Sequence, residues 1–104
     1  MKHILFYVPE LYLEGLDDLV RGKMYPNRNE AIRFAVRDLL QDRSQVLIGY
    51  MKRGAMKPIT VNIPEPYVQG LDDLVRGGKY SNRSDAIRSA IGVLLYKELR
   101  VLKK

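Results

Sequence analysis

The sequence predicts an α+β fold, mostly α. Two strand–helix–helix units lie in one chain, their strands joined as a two-stranded antiparallel ribbon packed on four helices. Three observations point there. Residues 4–40 recur as 59–95 without insertion or deletion: GLDDLVRG at 15–22 returns letter for letter at 70–77, and YPNRNEAIR at 25–33 returns as YSNRSDAIR at 80–88. A period of this size marks one supersecondary unit duplicated. Each copy also opens on alternating apolar residues and continues with apolar residues at helical spacing. Finally, a copy of roughly 45 residues is close to the size at which a chain buries too little surface to fold alone, so each must bury its apolar face against the other copy or against another chain.

In the first copy Ile4, Phe6 and Val8 alternate with His3, Leu5 and Tyr7; in the second, Ile59, Val61 and Ile63 alternate with Pro58, Thr60 and Asn62. Period-two alternation of β-branched and aromatic residues reads as a strand, whose backbone groups need a partner strand. Pro9 and Pro64 end the strands and suit the first turn of the following helix, where Glu10 and Glu65 meet the positive end of its dipole. That helix buries a stripe of Tyr12, Leu13, Leu16, Leu19 and Val20, matched by Tyr67, Val68, Leu71, Leu74 and Val75. Gly22 and Gly77 fall where a left-handed residue closes a helix.

The second helix is announced by Asn27 with Glu30 three residues on, and by Asn82 with Asp85, a variant of the capping box. Its stripe is Ala31, Ile32, Ala35, Val36, Leu39 and Leu40, repeated as Ala86, Ile87, Ala90, Ile91, Leu94 and Leu95, with Arg33 and Arg88 off the stripe. The units are bounded as 1–45 and 58–104, with a partly apolar linker at 46–57 and a basic amphipathic helical tail from Tyr96. The paired Asp17-Asp18 and Asp72-Asp73 read as solvated helix surface, since neighbours on a helix do not face each other. Tyr12 and Tyr67 read as the edge of the core.

The net charge of +6 favours a polyanionic partner. With no cysteine and a single histidine, His3, neither disulfides nor a metal site within the chain is expected, and no cofactor is implied. No nucleophile, base and oxyanion constellation appears, so the chain is read as a non-enzyme with no catalytic residue. The sequence has no apolar run of membrane-spanning length and no secretory leader pattern, which leads to the expectation of a cytoplasmic protein with no membrane partner.

The strand ITVNIP at 59–64 with its leucine-spaced helix, the run GKYSNRSDAIR at 78–88, and their first-copy counterparts resemble the ribbon-helix-helix family, the class of the Arc, MetJ and CopG repressors. The helix-turn run is similar to that of the nickel regulator NikR, although nothing here resembles a metal-sensing domain. The resemblance implies a tandem form of a normally homodimeric DNA-binding protein, with one chain supplying both halves. It implies that the outward strand residues Thr60 and Asn62, with His3, Leu5 and Tyr7, read bases in the major groove. It also implies that Asn27, Arg28 and Asn29, with Asn82, Arg83 and Ser84, hold phosphates at the start of the second helices; Lys2 and Lys57 add attraction. The function so implied is a sequence-specific transcriptional regulator, a repressor by preference, associating with further copies on DNA. Two alternatives stand beside it: the DNA-binding antitoxin of a toxin–antitoxin pair, for which the tail from Tyr96 is short and basic, and a coating protein of little base preference.

Overall fold

An isolated strand leaves its backbone donors and acceptors without partners, and here each copy supplies what the other lacks. The computed structural model describes residues 1–41 and 55–99. Over these the order is β1 (Lys2–Pro9), α1 (Glu10–Arg21), α2 (Arg28–Gln41), β2 (Met56–Ile63), α3 (Glu65–Arg76) and α4 (Arg83–Leu99). Strands β1 and β2 form an antiparallel ladder running from Lys2 opposite Ile63 to Pro9 opposite Met56. Strand β2 therefore starts at Met56, ahead of the expected boundary, because β1 is long enough to pair Met56 and Lys57 as well. The apolar run 46–51 and the tail's Arg100, Lys103 and Lys104 lie outside the described residues.

One face of the ribbon supplies Ile4, Phe6, Val8, Val61 and Ile63 to the core, with Ile59 partly buried beside them. The helix stripes close over this face as their spacing predicts: Leu16, Leu19, Val36, Leu71, Ile87, Ile91 and Leu95 are all buried. Tyr12 is fully buried, so it belongs to the core and not to its edge, whereas Tyr67 is only partly so.

Gly15 and Gly70 sit inside helices, where glycine costs up to about 1 kcal/mol relative to alanine. Their reason is tertiary. A Cβ on Gly15 would stand 2.9 Å from both methyl groups of Leu95, and one on Gly70 would stand 2.8 Å from a methyl of Leu40. Each glycine thus admits a leucine from the other copy, and the two contacts are related by the repeat. These contacts let α4 approach α1, and α2 approach α3.

The helix ends differ from expectation by one residue. Gly22 and Gly77 have ordinary helical φ of −77°, and the left-handed positions are Lys23 (φ 65°) and Gly78 (φ 81°). The hydrogen bonds explain the shift. Lys23 N–H donates to the Val20 carbonyl and Met24 N–H to the Leu19 carbonyl, and the same pattern recurs from Gly78 and Lys79, giving a Schellman closure in which the first glycine is still the cap. Pro9 and Pro64 likewise act as the caps before α1 and α3 and not as first-turn residues; Pro66 takes a first-turn place in α3.

Candidate nucleic-acid interface

The pleat that turns Phe6 and Val61 inward turns the intervening residues outward. Across the ladder His3 faces Asn62, Leu5 faces Thr60 and Tyr7 faces Pro58. All are exposed except Asn62, which is partly covered. Leu5 and Tyr7 keep 64% and 52% of their surface in contact with solvent, a large apolar area to leave uncovered on a small protein. The register places His3 with Asn62 at one end of the ribbon and Tyr7 with Pro58 at the other. Pro58, absent from the expected site residues, is part of this face.

Each end of the ribbon meets the start of one helix. Asn27 and Asn82 cap α2 and α4 as expected, their side-chain oxygens accepting from the N–H of Glu30 (2.9 Å) and Asp85 (2.8 Å). The acids at those third positions do not close a reciprocal box; Glu30 pairs with Arg33 and Asp85 with Arg88. Asn29 reaches the ribbon itself: the Asn62 N–H donates to its side-chain oxygen (2.7 Å), and its amide nitrogen donates to the Asn62 carbonyl (3.4 Å). Ser84, its counterpart, is too short for the same reach. At the other end Arg88 donates from Nη1 to the Tyr7 carbonyl (2.7 Å) and is nearly buried, though its position off the helix stripe suggested exposure. The Asn62 side-chain oxygen is buried and accepts no hydrogen bond from the described residues.

Arg28 and Arg83 are neither free phosphate ligands nor merely solvated. Each guanidinium forms a two-pronged pair with a carboxylate of the preceding helix: Arg28 with Asp17 (2.7 and 3.0 Å), Arg83 with Asp72 (2.7 and 2.9 Å). The second acid of each doublet, Asp18 or Asp73, pairs with Arg21 or Arg76 on its own helix. Asp17 and Asp72 are therefore anchors for the arginine of the next helix, while Asp18 and Asp73 remain exposed helix surface, as expected. The signal lay in the sequence: an aspartate and an arginine eleven residues apart, repeated in both copies. The fork leaves each arginine's outer nitrogen edge, and the N–H groups of Arg28, Asn29, Arg83 and Ser84 at the helix starts, directed away from the helix bodies. Lys2 lies beside the His3–Asn62 end and Lys57 beside the Tyr7–Pro58 end, both exposed.

The hydrogen bonds donated by Arg28 hold the Asp17 carboxyl below its ordinary value, and the same bonds hold Arg28 above its own. A carboxyl with a lower pKa in the folded than in the unfolded state stabilises the fold above about pH 4. That contribution disappears as pH falls through the depressed folded value. With both partners over a third exposed, Asp17→Asn is expected to cost less than about 1 kcal/mol at pH 7. Urea denaturation should show the difference from the natural chain closing as pH falls below about 4. A gap of equal size at both pH values would mean that the amide disturbs packing and that the charge does not matter.

Among the described residues no cluster of three or more His, Asp or Glu is placed to hold a metal, and no helix is long and apolar enough to cross a membrane. No family model matches the chain, and no solved structure matches it. Over 36 residues, 35% of its length, the chain is 44% identical to the transcriptional regulator CdrS of Halobacterium salinarum. The match spans 66% of that protein, just under two thirds of its length.

Proposed function

We propose that this chain is a tandem ribbon-helix-helix protein that binds double-stranded DNA and regulates transcription, acting as a repressor, without enzymatic activity and within the cytoplasm. The observation that carries the reading is the two-stranded ribbon with one face in the core, the other outward, and a capped helix start hydrogen-bonded or packed at each end. Strands about 4.8 Å apart, with their side chains, fit a major groove about 12 Å wide. His3, Leu5, Tyr7, Thr60 and Asn62 then meet base edges. The N–H groups at the starts of α2 and α4 meet the phosphates on either side, aided by the dipoles of those helices. Lys2, Lys57 and the outer edges of Arg28 and Arg83 add counter-charge. The regulator named among similar proteins and the net charge of +6 support the same reading.

The pairing with aspartate gives the arginines a fixed direction, so they meet phosphate already oriented. Removing Arg83 also leaves Asp72 as an unpaired negative charge beside the DNA. Arg83→Ala is therefore expected to lower affinity for all sequences alike and to flatten the log–log dependence of affinity on salt by about one. Gel-shift titrations of a genomic fragment pool at rising salt test both the variant and the function. Sharp, competitor-resistant bands support a regulator; uniform binding with a steep salt slope supports a coating protein; no binding at low salt ends the DNA reading.

A further inference from the structure

We infer that the chain occupies its DNA in one fixed direction and reads a site whose two halves differ, an inference that rests on the groove-binding reading above. The repeat relates His3 to Pro58, Leu5 to Thr60 and Tyr7 to Asn62, yet the ladder sets His3 against Asn62 and Tyr7 against Pro58. The axis that relates the copies therefore passes through the Leu5–Thr60 pair and exchanges the two ends of the ribbon. Had the copies been identical on this face, both ends would carry the same pair of residues and the DNA would be read as a palindrome. Instead one end carries an imidazole and a partly covered carboxamide whose oxygen must turn outward to meet a base, the other a phenol ring and a proline.

These ends suit different base edges. A carboxamide offers a donor and an acceptor together and pairs with the N6 and N7 groups of adenine, whereas apolar surface suits the thymine methyl. From Tyr7 to His3 the outward face extends four residue steps, roughly 14 Å at about 3.4 Å each, which is about four base steps along the groove. The two ends therefore lie over separate base pairs and select them independently. Their supports differ as well. The Asn62 backbone is held by the neutral amide of Asn29 and the Tyr7 carbonyl by the guanidinium of Arg88, so neither end can take on the other's geometry by a simple turn of a side chain.

The test is selection of bound sequences from a random duplex pool by the full chain, repeated with the Leu5→Thr/Tyr7→Asn variant. Both substitutions are at exposed positions and copy the residues of the second strand, and a thermal melt checks that the fold is kept. The natural chain is expected to recover a motif without two-fold symmetry. The variant is expected to recover a motif closer to an inverted repeat, the bases under position 7 shifting toward those under Asn62 while His3 and Pro58 keep the outermost contacts different. A synthetic duplex carrying that variant motif should bind the natural chain about tenfold more weakly than its own motif, and the variant more tightly than the natural chain does. A palindromic motif from the natural chain overturns the inference while leaving DNA recognition intact, as does a variant motif identical to the natural one. Retention of the pool with no enriched sequence overturns it together with base reading, and absence of retention overturns DNA binding itself.

Discussion

Leu95→Ala is expected to destabilise the fold by about 2–5 kcal/mol, a large share of the roughly 5–15 kcal/mol that holds a domain folded. Leu95 is fully buried, and both its methyl groups press against the backbone of Gly15, on the other copy. Truncation removes apolar burial and opens a cavity at the seam between the copies, which the rigid helices on either side close only in part. The Gly15→Ala substitution makes the assignment specific. In the natural chain a Cβ at that position meets the Leu95 methyl groups at 2.9 Å, so Leu95 must move, and the contact offsets the gain of about 1 kcal/mol that alanine brings to a helix interior. In the Leu95→Ala background those atoms are gone and the gain is realised. Denaturant titrations of the two single variants and the double variant should therefore show a favourable coupling energy between residues from different copies. Additive effects would mean that the helices do not meet at this point.

Asn62→Ala is expected to lower affinity for a selected site by about 1–3 kcal/mol while changing affinity for random DNA little. A carboxamide releases no counterions, so its loss leaves the electrostatic part of binding, and its salt dependence, unchanged. The stability control runs in the opposite direction. The Asn62 backbone is held by Asn29 and keeps its hydrogen bonds in the variant, while the side-chain oxygen removed is a buried acceptor without a partner. Losing such an acceptor costs the fold nothing in hydrogen bonding, so the melting temperature should stay level or rise. On the groove-binding proposal, rotation about the side chain would turn that oxygen toward an adenine edge. Equal weakening on specific and random DNA would remove Asn62 from base reading; a fall in stability would assign it a structural role.

The elements themselves were legible in the chain. The alternation of Ile4, Phe6 and Val8, the asparagine caps at Asn27 and Asn82, and the helix stripes each depend on residues a few positions apart, whose geometry is local. The duplication also announced that each copy needs a partner, because neither is large enough to bury its own apolar face; that the partner is the other copy of the same chain is seen in the fold. Other features depended on residues that only folding brings together. Gly15 and Gly70 have no reason in their local sequence; Leu95 and Leu40, each from the other copy, fill the space above them. Asp17 and Asp72 read as solvent-facing until the turn between the helices returns Arg28 and Arg83 to them.

The sequence by itself determined the order of strands and helices, where α2 and α4 begin, and which face of each strand is buried, since periodicity and capping act over one or two turns of chain. Only the tertiary structure decided the register of the ribbon, and with it that His3 lies with Asn62 and Tyr7 with Pro58. Alternation assigns a residue to a face but not to a neighbour on the other strand. That choice is made by the packing of both copies into one core, a constraint that no local stretch of the sequence contains.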